Sequence, residues 1–276
     1  MLTILTVEKE NNLKWYIKLL KKIRGNSILT ETKNSRGIVF RHITYKNRTG
    51  RINWEKLDDI IGAQRNHLVC NDDIDLPKEM GYRRFENTEF KGRLASNLAL
   101  CVLGNFKEPQ KLKVGIFDPK GENVDIVAPF LEYTSNVVVV SDNLKEFKCE
   151  INRVYEETGA TVQLTSNRVN LLDCQLIIAP CVIEETLPIK GDTLILTIAM
   201  PTQCVSGLVY YDYYVQIPSR LEQIKPSELS NEYFLGALYS KAGQFRLGSM
   251  IPLSCKNNSS THTFKSISNY LEKYLN

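Results

Sequence analysis

The chain has 276 residues, of which 43% are hydrophobic and 24% are charged. This composition is typical of a globular protein with one large domain or two modest ones, and it excludes disorder on a large scale. The 35 basic and 31 acidic residues leave a formal net charge of +4. That excess is too small to support tight binding to a phosphate backbone, so we do not expect nucleic acid as a partner.

The sequence indicates neither a transmembrane segment nor a signal peptide. The amino terminus, MLTILTVEKENN, has no basic residues before its apolar run and no cleavage pattern of a signal peptide. No segment reaches the roughly 18 consecutive apolar residues that a membrane span needs. The seven cysteines are an odd number without paired short spacings, which favours reduced thiols. We therefore expect a cytoplasmic protein.

The first hundred residues differ in pattern from the rest of the chain. Apolar residues at helical spacing predict an amphipathic helix over residues 12 to 24. Two strand-like runs follow, Ser27 to Thr32 and Gly37 to Tyr45, and the polar turn between them predicts an antiparallel hairpin. We interpret residues 1 to 109 as a small α+β domain that ends in a linker at Lys107 to Lys111.

Further elements of this domain can be placed from caps and spacing. Asn53 is a credible N-cap for a helix that should run to about Arg65, with Glu55 in its first turn. A short strand is predicted at His67 to Cys70. After a polar stretch rich in turn residues, apolar positions from Leu94 to Val102 indicate another helix.

From Lys113 onward, strand-like and helix-like segments alternate, which is typical of a layered α/β domain with a mainly parallel sheet. Val114 to Phe117 and Val137 to Val140 are apolar throughout, as strands covered on both faces are, so we expect the first of them to be central in the sheet. Strands are predicted near 113 to 118, 136 to 141, 160 to 164, 175 to 179, 193 to 199 and 208 to 217. Helices near 123 to 134, 143 to 158 and 230 to 242 should cover the sheet.

The predicted fold class is therefore α/β, with a mainly parallel three-layer domain over residues 110 to 250. Residues 251 to 276 form a polar loop followed by an amphipathic helix from Phe264 to Tyr274. That helix must bury its apolar side, either on the first domain or on a second subunit.

The order of elements over residues 110 to 250 resembles the Rossmann-type nucleotide-binding superfamily. The first turn, Asp118-Pro119-Lys120-Gly121-Glu122-Asn123-Val124, stands where that superfamily has a glycine-rich turn against the pyrophosphate of a dinucleotide. Only Gly121 matches a fingerprint glycine, since Asp118 or Pro119 takes the first glycine position and Val124 the third. This departure disfavours an NAD(P) cofactor, whose presence stays an open alternative.

Asp142 follows the second strand of this domain, 21 residues beyond Gly121. The resemblance implies that an acidic residue there would hold the ribose hydroxyls of a nicotinamide dinucleotide. The competing interpretation is that Asp142 or Asn143, which immediately precede a helix of residues 144 to 158, forms its N-cap; this needs no ligand, and we prefer it.

The remaining signals for chemistry are weak. His67 and Cys70 have the spacing of half a zinc site, but no second pair of ligands lies nearby, so we predict no metal. Cys181 follows the predicted strand at 175 to 179 and is interpreted as a buried, inert thiol. Tyr210, Asp212 and Tyr214 should share one face of a strand that belongs to the core or to an interface.

Our first functional hypothesis is a protein that binds a nucleotide or a small anionic ligand at the carboxyl ends of the parallel strands. The alternatives are a non-enzymatic scaffold or partner-binding protein that has lost cofactor binding, and an NAD(P)-dependent oxidoreductase. No catalytic residue can be named. A homo-oligomer through the C-terminal helix or through the strand at Tyr210 to Tyr214 is a further hypothesis. The candidate ligand-binding residues are Asp118, Lys120, Gly121, Asn123, Asp142, Ala179 and Met200.

Overall fold

The computed structural model of the chain describes residues 1–9, 25–35, 37–242 and 250–275. The predicted helix over 12 to 24 lies outside the described residues. The chain divides into two compact units. The first unit comprises Met1–Asn87 and Ile217–Gln244, and the second comprises Thr88–Gln216 and Phe245–Asn276.

The described residues form strands and α-helices in the following order along the chain. The strands are β1 (Leu2–Lys9), β2 (Ser27–Ser35), β3 (Ile38–Asn47), β4 (Val69–Cys70), β5 (Val114–Phe117), β6 (Val137–Val140), β7 (Gln163–Thr165), β8 (Leu176–Ala179), β9 (Leu194–Thr197), β10 (Leu208–Tyr210), β11 (Asp212–Tyr214), β12 (Ser254–Lys256) and β13 (Thr261–His262). The helices are α1 (Trp54–Ile61), α2 (Thr88–Gly104), α3 (Val127–Leu131), α4 (Leu144–Thr158), α5 (Ser219–Glu222), α6 (Asn231–Ala242) and α7 (Phe264–Leu275).

The first unit is built on a four-stranded sheet in the order β2-β3-β1-β4. The predicted hairpin is confirmed, because β2 and β3 pair antiparallel. The sequence pattern left β1 unassigned, although β1 is an inner strand that pairs parallel with both β3 and β4. Five consecutive side chains from Leu2 to Thr6 are buried, including two threonines. A strand buried on both faces shows no alternation, and the polar threonines hide its apolar character.

Helix α1 begins as its cap predicts. The side-chain oxygen of Asn53 accepts a hydrogen bond of 3.0 Å from the backbone N–H of Lys56. The helix ends at Ile61 rather than near Arg65, because Gly62 adopts a positive φ of 57° and the chain continues as a 3-10 turn.

The second unit contains a six-stranded sheet in the order β10-β9-β8-β5-β6-β7, in which each adjacent pair is parallel. As predicted, β5 is central, with β6 on one side and β8 on the other. Read from β7, this is the strand order 3-2-1-4-5-6 of the Rossmann fold, and the order reverses between β5 and β8. The fold class is α/β with a parallel Rossmann-type sheet, accompanied by the separate mixed sheet of the first unit.

The parallel sheet follows from the apolar character of its strands. The strands β5, β6, β8 and β9 have four residues each, and all of these residues are buried. This is expected of strands that are covered on both faces. Helix α2 packs against β8 and β9, and α4 packs against β7. Gly92 of α2 faces Pro180, where a Cβ would lie 3.2 Å from the proline carbonyl oxygen, so the glycine permits close packing.

Several predicted elements of the second unit differ in the structure. The predicted strand 208 to 217 is two short strands in different sheets, since β10 joins the parallel sheet and β11 joins β12 and β13. Tyr210 and Tyr213 are consequently both buried, whereas Tyr214 is half-exposed. The predicted helix 123 to 134 shortens to a 3-10 turn followed by α3, and the strand near 160 to 164 lies at β7.

The unit boundaries also differ from the predicted domains at 109 and 250. The chain leaves the first unit at Asn87, before α2, and not at the predicted linker. Helix α2 belongs to the second unit because its buried side packs on the parallel sheet. Helix α6, predicted to cover that sheet, belongs to the first unit, where Phe234 contacts the ring of Phe40 on β3.

The C-terminal helix α7 is part of the second unit rather than a separate segment. It packs against α2, with Ile267 and Leu271 buried and the Ser268 hydroxyl donating to the carbonyl oxygen of Val102. The segment that returns to the first unit is therefore α6 with its flanks, and α7 buries its apolar side within its own unit.

Candidate functional site

The candidate site lies at the carboxyl ends of β5 and β8. The strand order reverses between these two strands, and Rossmann-type folds bind their ligands in the crevice outside such a reversal. The loop after β5 is the turn from Asp118 to Asn123, and the loop after β8 begins at Pro180. The two loops are in contact through Cys181, whose thiol donates to the carbonyl oxygen of Phe117 at 3.6 Å.

The turn after β5 is closed by the carboxylate of Asp118. This side chain is buried and accepts hydrogen bonds from the backbone N–H of Asn123 at 2.8 Å and of Gly121 at 3.2 Å. The N–H of Gly121 is shared with the carbonyl oxygen of Asp118 at 3.1 Å. The side-chain amide of Asn123 adds a contact of 3.4 Å to the same carboxylate.

The carboxylate of Asp118 therefore takes the position of an anion on the amides of the turn. In the ordinary Rossmann mode those amides, together with the N-terminus of the next helix, hold the pyrophosphate. Here the next helix, α3, has only five residues and follows a 3-10 turn. The residues present do not fit a dinucleotide in its ordinary position.

Gly121 is required by the backbone of the turn. Its φ of 72° is in the left-handed region, and a Cβ would lie 3.2 Å from the Cβ of Asn143. Asn143 in turn donates from its side chain to the carbonyl oxygen of Lys120 at 3.2 Å. The turn is thus packed onto the start of α4, which leaves Gly121 without open space toward a ligand on that side.

Of the two residues predicted as the N-cap of α4, Asn143 and not Asp142 takes that position. The N-cap residue of α4 is Asn143, and it makes no capping hydrogen bond with its side chain. Asp142 instead pairs with the guanidinium of Arg168, with Nη2 at 2.8 Å from Oδ2 and Nη1 on Oδ1. Hydrogen bonds from Arg168 hold the pKa of the Asp142 carboxyl below its ordinary value.

Arg168 connects the ends of three neighbouring segments. Besides Asp142, its guanidinium donates to the carboxylate of Glu185 from Nε and Nη2, and to the carbonyl oxygen of Ser166 from Nη1 at 2.8 Å. All five N–H donors of the guanidinium are thereby used. Its carbon Cζ lies 5.8 Å from the centre of the Phe117 ring, within range of a cation–π contact.

The segment that carries Arg168 reaches the sheet because β5 contains Gly115. A Cβ at Gly115 would lie 2.8 Å from a methyl carbon of Leu171 and 3.0 Å from the sulfur of Cys174. The 3-10 turn Arg168–Leu171 can therefore pack directly on β5. Neither Arg168 nor Glu185 was predicted from the sequence; Arg168 lies 26 residues after Asp142, and Glu185 lies 17 residues after Arg168. Their spacing carries no local signal.

Two further candidate residues, Ala179 and Met200, have no polar side-chain group to offer a ligand. Ala179 is fully buried in β8, and Met200 is 56% exposed beyond β9. Burial, followed by the charge of Asp118, raises the pKa of the Cys181 thiol to about 12. That thiol is protonated at neutral pH and is a poor nucleophile, although it is partly exposed and not buried as predicted.

Acidic groups outnumber basic groups at this edge of the sheet. Lys120 is exposed and forms no ion pair among the described residues, while Arg168 is saturated by two carboxylates. The acidic side chains around the two loops are Asp118, Glu122, Asp142, Glu184 and Glu185. In the described part of the chain, no group of three or more His, Cys, Asp or Glu side chains could hold a metal ion.

Two surface cavities that the sequence did not indicate are lined by described residues of the first unit. The larger, of about 710 Å³, is lined by the loop from Asp72 to Glu86, and the smaller, of about 460 Å³, lies beside His67 and Lys241. The Arg84 guanidinium between them donates to the carbonyl oxygens of Asn71 and Ile74. This arginine therefore fixes the loop.

The seven cysteines are all free thiols. No helix within the described ranges is long and apolar enough to cross a membrane.

No family model matches this sequence, and no curated protein matches it either. Among solved structures, it is similar to L-tryptophan dehydrogenase from Nostoc punctiforme, with 11% identity over 85% of this chain and 68% of that one, and a TM-score of 0.30. It is also similar to a shikimate dehydrogenase in complex with NADP+, with 9% identity over 100% of this chain and 96% of that one, and a TM-score of 0.33. At these identities and TM-scores the likeness carries no information about cofactor or substrate.

Proposed function

We propose that this chain is a non-enzymatic binding protein, in which the Rossmann-type unit is a scaffold that does not hold a dinucleotide in the ordinary mode. The observation that carries the proposal is the buried carboxylate of Asp118, which accepts hydrogen bonds from the backbone amides of Gly121 and Asn123. A pyrophosphate in the ordinary position would have to displace this carboxylate and then lie beside it.

The size of that competition favours the scaffold. A hydrogen bond to a charged group contributes roughly 1.5–3 kcal/mol, and the N–H of Gly121 would keep the carbonyl oxygen of Asp118, so loss of the bond from Asn123 would cost about 1.5–3 kcal/mol. At about 1.4 kcal/mol for each factor of ten, this amounts to a loss of roughly one to two orders of magnitude in affinity. The displaced negative charge would add repulsion against a diphosphate.

The charge balance also disfavours a small anion at this edge. At this edge Lys120 has a basic side chain with no ion-pair partner among the described residues, and it lies near several carboxylates. A phosphate or carboxylate ligand would gain one ammonium contact and meet repulsion from Asp118 and Glu122. We therefore place the hypothesis of an anionic ligand behind that of a scaffold.

A nicotinamide-dependent oxidoreductase is the second candidate, and one observation favours it. Asp142 is an exposed carboxylate directly after β6, the strand next to β5, which is where Rossmann-type enzymes bind a ribose. For this function Arg168 would have to release Asp142, and Asp118 would have to release the amides of the turn.

Calorimetric titration and thermal shift with NAD+, NADH, NADP+ and NADPH separate the two candidates. We expect no saturable binding of any of the four, whereas a ligand at a hundred times its dissociation constant would stabilise the protein by about 2.7 kcal/mol. Saturable binding that is lost in Asp142→Ala and kept in Glu146→Ala, an exposed acid in the first turn of α4, would overturn the proposal.

A gain of binding tests the role given to Asp118. Removal of its carboxylate in Asp118→Ala frees the amide of Asn123 and removes one of the two acceptors of the Gly121 amide, so we expect this variant to bind inorganic diphosphate more tightly than the natural protein does. The matched control is Glu122→Ala, which removes an equal charge from the same turn and leaves the amides bonded. Equal diphosphate binding by the two variants would show that the affinity of the turn for diphosphate is set by its negative charge, and not by the hydrogen bonds that Asp118 makes to the amides.

A further inference from the structure

The strand β2 forms one edge of the sheet in the first unit. It is paired with β3 on one side over nine residues, from Ser27 to Ser35, without a bulge. Among the described residues no strand pairs with its other side. Leu29, Thr30, Glu31, Thr32 and Asn34 are exposed. An edge strand of this kind presents every second backbone N–H and C=O to a further strand.

The usual protections of an edge strand are few in β2. The strand contains no proline, and its register with β3 is continuous. Its charged residues are Glu31 and Lys33, whose side chains lie on the same face and form an ion pair of 2.6 Å. Charges on an edge strand discourage pairing with most chains, because most partners would bury them without compensation.

These two charges nevertheless suit one partner, a second copy of the same strand. A two-fold axis perpendicular to the sheet pairs two β2 strands antiparallel and keeps each side chain on its own face. Centred on Glu31 the axis would oppose two glutamates, and centred on Lys33 it would oppose two lysines. Centred on Thr32, it places Glu31 of each copy opposite Lys33 of the other. Like charges directly opposite are destabilising and unlike charges stabilising, so the charges select this register.

We propose that two copies of this chain associate through β2, antiparallel and with the two-fold axis at Thr32, to form a continuous eight-stranded sheet. In this dimer Leu29 to Ser35 of each copy pair with each other, Thr32 lies opposite Thr32, and two Glu31–Lys33 pairs cross the interface. The dimer does not rest on the proposed function, because β2 belongs to the first unit and the dinucleotide question concerns the second. An interface of one strand pair is small, so the association is weak and depends on concentration.

Charge variants of β2 test the register directly. Sedimentation equilibrium over a hundredfold range of concentration should show a monomer–dimer equilibrium for the natural protein. Glu31→Lys and Lys33→Glu each place like charges opposite each other, and both variants should be monomeric. The double variant Glu31→Lys/Lys33→Glu restores unlike charges across the axis, and it should dimerise again.

A mixing experiment sharpens this test. The Glu31→Lys chain carries two lysines and the Lys33→Glu chain two glutamates, so the two monomeric variants should form a heterodimer when combined. A general effect of the substitutions on folding cannot produce this recovery. A natural protein that stays monomeric over the whole range overturns the proposal, as does a dimer that both single variants leave intact.

Cross-linking measures which residues are opposite. In a background of Cys149→Ser/Cys204→Ser, which removes the two exposed native cysteines, Thr32→Cys places two thiols opposite each other, and mild oxidation should link the copies. The control is Leu29→Cys on the same exposed strand, where the two thiols would be six residues apart along the interface, or about 20 Å. Equal cross-linking of the two variants, or none at Thr32→Cys, contradicts the register.

Discussion

Two sheet edges of the molecule differ in whether their hydrogen-bonding groups already have partners within the chain. At the carboxyl edge of the parallel sheet in the second unit, Asp118 holds the amides of its turn and Arg168 has every donor bonded. Along the outer side of β2 in the first unit, no described strand satisfies the backbone, and the side chains of the strand are largely exposed.

This difference shows that fold position alone does not identify a binding site. The carboxyl edge has the position at which Rossmann-type folds bind ligands, yet the amides of its turn and the guanidinium of Arg168 are bonded within the chain, and a ligand on them would have to break those bonds. No general rule of fold marks the edge of β2 as a binding site, yet a partner strand would gain backbone hydrogen bonds there without breaking any backbone hydrogen bond that the described residues make.

The largest effect is expected in the packing that brings Arg168 to the carboxyl edge. Gly115→Val would drive a side chain into Leu171 and Cys174, which already lie within 3.0 Å of a Cβ at this position. We expect a loss of about 3 kcal/mol of unfolding free energy, the upper part of the range for overpacking. The measurement is the urea midpoint with its slope. Gly191→Ala is the matched control, because a Cβ there meets nothing within 4 Å, and it should change the free energy by less than about 0.5 kcal/mol.

A smaller loss should follow from removing the carboxylate of the turn. Asp118→Ala leaves the N–H of Asn123 without its partner, and we expect the unfolding free energy to fall by about 2 kcal/mol. Glu122→Ala removes an exposed acid from the same turn and should be nearly neutral. Equal thermal midpoints for the two variants would contradict the claim that the Asp118 carboxylate stabilises the turn through hydrogen bonds to its backbone amides.

The ion pair of Asp142 and Arg168 should have a weak effect that depends on pH. Arg168 lowers the pKa of the Asp142 carboxyl, so the stabilisation is present above the ordinary carboxyl pKa and is lost as the pH falls through the lowered value. Asp142 is largely exposed, so the contribution at neutral pH should stay below about 1 kcal/mol. Carbon-13 NMR titration of this carboxyl should show its pKa return toward the ordinary range in Arg168→Met. An unchanged titration would contradict the pairing.

The smallest effect concerns His42 on β3, which lies opposite Glu31 of β2. Burial, followed by the charge of Lys33, lowers the pKa of this imidazole, against the smaller opposing charges of Glu228, Glu31 and Glu8. The unfolded chain therefore binds the proton more readily, and stability should decrease as the pH falls below the ordinary histidine pKa of about 6.5.

The variant His42→Gln keeps a polar group near the hydroxyl of Thr6, to which Nε2 of His42 is bonded at 2.9 Å, and it does not titrate. It should remove this part of the pH dependence. Proton NMR of the three histidines checks the direction of the shift, since the His42 signal is the one that disappears in the variant. A pKa at or above the ordinary value would refute the prediction.

The parallel strands were predictable because their residues are apolar without interruption. Val137 to Val140 and Leu176 to Ile178 can be buried on both faces only in a covered sheet, and the structure places them beside β5 as expected. The strand β1 was missed because its buried threonines interrupt the apolar run. The strand predicted at 208 to 217 failed because a change of sheet at Tyr211 leaves no mark in local alternation.

For the candidate site, the sequence indicated the turn and Asp142 but not the partner of that acid. The preferred interpretation, an N-cap at Asp142 or Asn143, depends on the next few residues alone, and the N-cap is Asn143. The structure pairs it instead with Arg168 from another loop, and contacts between loops at the ends of separate strands depend on the order of strands in the sheet. The same reason hid Glu185.

The sequence by itself determined the class of the fold, the parallel sheet with β5 at its centre, the hairpin of β2 and β3, and the cap of α1. Each of these follows from local periodicity, a turn or a cap, whose physical causes lie within a few residues. Only the tertiary structure decided that α2 belongs to the second unit and α6 to the first, the reverse of the prediction. It also decided that the Asp118 carboxylate accepts hydrogen bonds from the amides of its own turn, and that β2 is an edge strand of its sheet. Those outcomes depend on contacts between segments far apart in the chain, whose free energy is not encoded in any one of them.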